Sequence, residues 1–347
     1  MSDGERAPAG FGPVSDARPQ SFAAAEMVTC DACLRANPPT RANCLYCGAN
    51  LPVNIEVVNA KPAPQQVDER IAPANLDPGF YVVLTPSQTK PLNESSLAET
   101  AAVLGLKTTD VEIALGLDRP VPLARTATRE QAGMLVGRLL ALGVRVDILR
   151  EDTLSLHLPI LAVRSLAVTA DGLAAAILRG ETIAIASDDL VLIVIGRLVV
   201  KRVETAERRR RSGANPLDSR SFFSDEPVMD LYTRSDEVGF RIRSGSFDFS
   251  CLGPEKSVTA FENFTKLLNL LSLRAPKVEI DDAHRSLRAV LASIWPLEPQ
   301  TSKGEWRRSA AGKVHVSTVT TVDNEIQFNS YSRVRQRVKL RELENDR

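Results

Sequence analysis

Four cysteines carry the clearest chemistry in this chain. In "CDACLRANPPTRANCLYCGANLP", Cys30 and Cys33 form one CxxC pair and Cys44 and Cys47 a second, with residues 34–43 between them. Two such turns supply the four sulfur ligands of a closed, tetrahedral Zn²⁺ site that leaves no position for water. The thiols must lose their protons to bind, and so short a segment has no core of its own. The metal would therefore contribute the folding free energy, on the order of 10 kcal/mol. The competing chemistry is a redox dithiol, which usually comes as one CxxC at a strand-to-helix junction, and the surrounding residues lack that pattern. The expected cofactor is a structural Zn²⁺ on Cys30, Cys33, Cys44 and Cys47.

Elsewhere the reactive residue types are scattered. His157, His284 and His315 each stand alone, without the spacing of a triad or a ligand set. No glycine-rich phosphate loop, GxSxG, HExxH or Walker-type lysine is present. The acidic trio Glu279, Asp281 and Asp282 reads as the start of a helix, "DDAHRSLRAVLASIW", with Leu287, Val290, Leu291 and Ile294 as its apolar stripe. Cys251, in "FDFSCL", reads as packing on an apolar strand. Arg208, Arg209, Arg210 and Arg211 form a run that could dock an anionic partner, although a solvated loop is the plainer reading. No catalytic residue and no enzymatic activity are expected.

The elements that must position these residues fall into several blocks, since 347 residues exceed one compact domain. Lys+Arg and Asp+Glu are equal at 43 each, so bulk charge makes no case for nucleic acid or anionic lipid. No apolar run has the roughly 18 residues of a membrane helix. The best, "LVLIVIGRLVV", is short and reads as a buried strand. With no hydrophobic signal core near Met1, a cytoplasmic location is expected.

Residues 1–27 read as disordered, 28–52 as the zinc module and 53–78, rich in proline, as a linker. Residues 79–151 show a βααβαβ pattern. Capping boxes are expected at Ser96–Glu99, at Thr109–Glu112 and, by Thr128 with Gln131, at the third helix, which Gly143 stops. Residues 157–276 turn to β texture, with an Asp171-Gly172 hairpin signal, a turn at Ser187 to Asp189 and an inserted loop at 205–227. That block closes on an amphipathic helix capped by Thr259 and Glu262, with Phe261, Phe264, Leu267, Leu268 and Leu271 on one side. Residues 277–347 read as a helix followed by an extended tail, where Ile326, Val334 and Val338 are too sparse to define an element.

Resemblances attach to these blocks. The "CLYCGA" ending resembles the zinc ribbons of bacterial proteins, and Asn37 between the pairs resembles the Ran-binding-protein type of zinc finger. That finger's tryptophan position is Val28 here and its ubiquitin-contacting pair is Leu34-Arg35, so neither base stacking nor ubiquitin binding is implied. The "LLALGVRVDIL" ending of residues 79–151 resembles the C-terminal domain of the ribosomal stalk protein and the related Clp-protease adaptor. Its helices "ESSLAETAAV" and "TTDVEIAL" are acidic, so only the fold is implied. The third block, with "ADGL" and "ETIAIASDDLVLIVIGRLV", is similar to a bacterial pleckstrin-homology-like barrel. Its first hairpin, Thr169-Ala170-Asp171-Gly172, would repel phosphate, so phosphoinositide binding is not expected.

As a whole the chain resembles a bacterial zinc-ribbon protein of multidomain α+β class. The expected role is a non-enzymatic zinc-binding adaptor or scaffold with a protein partner. The alternative is a ribosome- or RNA-associated protein.

Overall fold

The computed structural model describes residues 28–29, 36–37, 78–85, 92–169, 171–177, 180–210, 213–235, 237–303, 306–309 and 312–345. The chain divides into two compact units, Met1–Asn75 and Leu76–Arg347. In the first, β1 (Val28–Thr29) pairs antiparallel with β2 (Ala36–Asn37), with Thr29 opposite Ala36. Residues 1–27, read as disordered, the four cysteines expected to bind zinc and most of the 53–78 linker lie outside the described residues.

The second unit begins with β3 (Phe80–Leu84), α1 (Glu94–Leu104), α2 (Thr108–Gly116), β4 (Pro122–Thr126), α3 (Arg129–Ala141) and β5 (Val146–Arg150). The three strands form an antiparallel sheet in the order β4-β3-β5. Local chemistry sets the helix ends. Thr128 Oγ1 accepts from the Gln131 N–H at 3.3 Å, as expected, and Gly143 adopts φ +87° past the end of α3. The first two caps differ from expectation. Asn93 caps α1 by accepting from the Ser96 N–H at 2.8 Å, and α2 starts after Lys107 with no side-chain cap. Asn and Ser are comparable N-caps, and the helix extends back to Asn93, whose side-chain carbonyl accepts a free N–H of the first turn.

A second, ten-stranded sheet follows. It holds β6 (Ile160–Val168), β7 (Gly172–Ile177), β8 (Thr182–Ala186), β9 (Leu190–Arg210), β10 (Gly213–Thr233) and β11 (Gly239–Arg243). Helix α4 (Ala260–Arg274) leads to β12 (Glu279–Asp281), α5 (Arg288–Ile294), β13 (Gln300–Lys303), β14 (Trp306–Ser309), β15 (Gly312–Asp323) and α6 (Glu325–Asn345). The strand path is β13-β15-β9-β10-β11-β6-β7-β8, with β12 also beside β9 and β14 beside β15.

The path stays open, so the barrel implied by the pleckstrin-homology resemblance is not closed among the described residues. The reason lies in β9. Its inner half takes β12 and its outer half takes β15, which extends the sheet sideways. Of residues 205–227, expected as an inserted loop, 205–210 and 213–227 are strand arms of β9 and β10 that pair with each other, with register running from Thr205 opposite Ser219 to Arg210 opposite Gly213. Backbone ladder bonds there replace the solvated loop that the polar composition suggested.

Two apolar cores flank β9. Leu192, Val194 and Leu198 face one cluster with Val83, Leu123, Leu149, Leu291 and Phe328. Ile193 and Ile195 face the other, where Phe264, Leu267 and Leu271 of α4 pack on Val163, Leu173 and Ile242. A strand buried on both faces must be apolar at every position, which explains the run "LVLIVI". The first cluster crosses the 151–157 boundary and joins β3–β5 to the large sheet in one core. Phe261, expected on the buried side of α4, is 63% exposed.

Candidate functional site

Among the described residues, a dense group of ionisable side chains surrounds α6. The Asp230 carboxylate on β10 takes two parallel bonds from Arg241 on β11, from Nε at 2.7 Å and Nη2 at 2.8 Å. The two residues are cross-strand partners. Ser332 of α6 donates to Asp230 Oδ2 at 2.7 Å, and Tyr232 OH lies 2.8 Å from Ser332 Oγ. Phe328 underlies the Arg241 guanidinium at 5.0 Å. One strand away, Asp281 on β12 accepts from Arg335 Nε, from Tyr331 OH at 2.8 Å, from Ala283 N–H at 2.9 Å and from Arg119 Nη1 at 3.1 Å. Glu279 takes Arg335 at 2.5 Å and Lys339 at 2.8 Å.

Burial alone would raise the Asp281 carboxyl. The Arg335 charge, the Ala283 N–H and the Tyr331 hydroxyl outweigh it and hold the group below the usual carboxylate range. Burial and the neighbouring Asp281 charge push the Tyr331 phenol well up. Burial pushes His284 down to about 4, and the Arg288 charge adds to this against Asp281 and Asp230. Its Nε2 is buried without a hydrogen-bond partner. These carboxylates are filled with donors on both oxygens, which suits them to clamping α6 onto the sheet rather than to exchanging protons.

The trio expected to open a helix is therefore split differently. Glu279 and Asp281 sit on a strand parallel to β9, because the α6 guanidiniums and the β9 backbone both draw them there. Asp282 meets Arg119 at 3.1 Å. The apolar stripe Leu287, Val290, Leu291 and Ile294 is buried as expected, on a helix that starts only at Arg288. The segment expected to be an extended tail is α6, which buries Phe328, Tyr331 and Val334 together with Ser332, Arg333, Arg335 and Gln336. Cys251 is half-buried in a 3₁₀ turn, Phe249–Glu255, and not on a strand, since Gly253 at φ +53° and Pro254 bend the chain. Of the histidines, His157 is exposed, His284 lies under α6, and His315 lies on β15 opposite Glu207.

A cleft of about 840 Å³ opens beside the clamp, where Arg119 and Glu279 meet Asp147 of β5 and Arg341 of α6. Burial and the nearby Arg337 charge pull the Arg341 guanidinium below its ordinary value. No family model, curated protein or solved structure matches the chain. Among the described residues no group of His, Cys, Asp and Glu could hold a metal ion, and no helix is long and apolar enough to cross a membrane.

The clamp was missed because its members read as ordinary surface residues. One signal was available. Asp230 and Arg241 stand at mirror positions about the turn between β10 and β11, where opposite charges on a hairpin mark a cross-strand pair.

Among the described residues, one edge of β10 is left open. β11 pairs β10 only from Val228 to Tyr232, so residues 213–226 have no strand partner on that side among the described residues. Phe222 and Phe223 are 52% and 70% exposed there. Asp225 is held by Arg197 at 2.6 Å, and Glu226 accepts from the Gly245 N–H at 2.7 Å, which anchors the base of the arm.

Proposed function

We propose that this chain is a non-enzymatic, zinc-binding adaptor that presents protein-interaction surfaces. The observation that carries the reading is the β9–β10 arm. Each strand has 21 residues, a length of roughly 70 Å at about 3.3 Å per residue. One edge of β10 has no strand partner among the described residues beside two exposed phenylalanines. An edge of this kind accepts an added strand, with backbone bonds giving affinity and alternate side chains giving selectivity.

The zinc reading rests on Cys30, Cys33, Cys44 and Cys47, and the β1–β2 pairing supports it by bracketing residues 30–35, the segment that contains the first CxxC. The metal would hold the N-terminal module together and leave the second unit as the platform.

The test is affinity capture from native lysate with the full chain and with the Phe222→Ser/Phe223→Ser double variant. Proteins held by the parent and lost by the variant support the arm as the docking surface. Equal capture by both, or none by either, removes it. Metal analysis of the same preparation should return about one zinc per chain.

A further inference from the structure

Helix α5 ends at Ile294, and the chain passes through Trp295, Pro296, Leu297, Glu298 and Pro299 to reach β13. The two prolines have no N–H and a fixed φ, so they end the helix and stiffen this stretch. It is held from two sides. The Trp295 indole Nε1–H donates to the Tyr81 hydroxyl at 3.1 Å, with the two rings 5.4 Å apart, and the Trp295 carbonyl accepts from Gln327 Nε2 of α6 at 3.1 Å. A cleft of about 400 Å³ opens here, lined by Trp295, Pro296, Leu297 and Glu298 together with Asp323 and Ile326 at the start of α6. Ligand clefts occupy about 300–1,000 Å³, so the space suffices for one.

The charges lining the cleft do not balance. Arg125 and Glu151 neutralise each other, with Arg125 donating from Nε at 3.0 Å and from Nη2 at 2.7 Å. Glu151 also accepts from the Tyr81 hydroxyl at 2.7 Å and the Gly79 N–H at 2.8 Å. Glu298 has no hydrogen bond or ion pair among the described residues, and the Asp323 carboxylate accepts only the Glu325 N–H, at 3.1 Å. Two carboxylates are therefore uncompensated, and among the described lining residues no free cation answers them. Leu297 and Ile326, 45% and 52% exposed, place apolar surface beside these acids.

These features select the occupant by charge and by surface. The carboxylates attract a cation and repel a polyanion, and an indole holds a guanidinium or ammonium group against its ring. Leu297 and Ile326 then need apolar neighbours that a free small cation lacks. We propose that this cleft docks an extended peptide segment of a protein partner in which one arginine or lysine is flanked by apolar residues. The cation meets Glu298, Asp323 and the Trp295 ring, and the flanking residues cover Leu297 and Ile326. The stiff stretch at 295–299 is already ordered, which lowers the cost of binding. No residue of β10 lines the cleft, so this site and the β10 edge can fail independently of one another.

The experiment measures binding of labelled acetyl-ALRLA-amide to the full chain by fluorescence anisotropy, beside acetyl-ALELA-amide and, as competitor, ethylguanidinium. The chain has two tryptophans, so Trp306→Phe leaves Trp295 as the single indole whose emission reports occupancy of the cleft. The arginine peptide should bind with a Kd below about 1 mM and shift the Trp295 emission. Its affinity should fall as salt rises from about 50 to 500 mM, because exposed charges are screened. The glutamate peptide and ethylguanidinium should each bind at least about tenfold more weakly. Glu298→Gln/Asp323→Asn should lose about fivefold or more in affinity and most of the salt dependence, while the amide at 323 keeps an oxygen for the Glu325 N–H. Leu297→Ser, at an exposed position, should lose about threefold or more with the salt dependence retained. The proposal is overturned by no saturable binding of the arginine peptide, by equal affinity for the glutamate peptide, or by unchanged affinity in both variants. Ethylguanidinium binding as tightly as the arginine peptide would also overturn it, since the cleft would then be a site for small cations and not for a peptide.

Discussion

Asp281 has no solvent exposure and collects donors from β12's own turn, from α6 and from Arg119. Removing such a group strands its partner. Asp281→Ala leaves the buried Arg335 with only Glu279 and should cost about 3–5 kcal/mol in a urea unfolding series. A loss below about 1 kcal/mol would mean that water compensates Arg335 and the clamp does not hold α6. His284 gives a pH test. Its folded value of about 4 lies below the ordinary 6.5, so the unfolded chain takes up the proton first as pH falls. Stability should decline between pH 6.5 and 4, by up to about 3 kcal/mol, and be unaffected by this group above 6.5. His284→Leu should remove that part of the decline, and an unchanged pH profile in the variant would assign it to other groups. Neither role was legible in the sequence, where a lone histidine and an acidic trio have many equivalent readings until partners are placed around them.

At the scale of elements, α6 depends on its close approach to β9. A Cβ on Gly196 would lie 2.4 Å from the Phe328 ring, so the glycine lets the helix seat against the strand. Gly196→Ala should destabilise by about 1–3 kcal/mol, and pairing it with Phe328→Leu should recover part of the loss; additive losses in thermal unfolding would argue against the contact. Thr128→Ala removes the N-cap of α3 and should cost about 1 kcal/mol, measured the same way. That cap, the stop at Gly143 and the stripe of α4 were readable because each depends on residues within a turn of one another. Helix α6 was not readable. Its buried face includes Gln327, Ser332, Arg333, Arg335 and Gln336, so ion pairs and hydrogen bonds fill positions that an apolar period would have marked.

For the whole molecule, the division after Asn75 makes the zinc reading separable from the platform. Cys44→Ser should abolish zinc binding and leave the calorimetric transition of residues 76–347 within about 0.5 kcal/mol of the parent. A lowered transition would show that the metal supports both units. Within the second unit the cluster shared by β3–β5, β9 and α6 predicts one cooperative transition for that unit rather than two.

By itself the sequence determined the order β-α-α-β-α-β at 80–150, the hairpin at Asp171-Gly172, the turn at Ser187 to Asp189, the capped helix α4 and the spacing of the four cysteines. All of these are set by short-range geometry: turn φ, cap donors and side-chain period. Only the tertiary structure decided that β9 takes neighbours on both edges along its length, that the polar C-terminal segment is a buried helix, and that Asp230, Asp281 and Glu279 collect their guanidinium partners around it. Those outcomes depend on which distant groups become partners. A strand edge and a buried guanidinium acquire their energies only from neighbours that the chain order does not list.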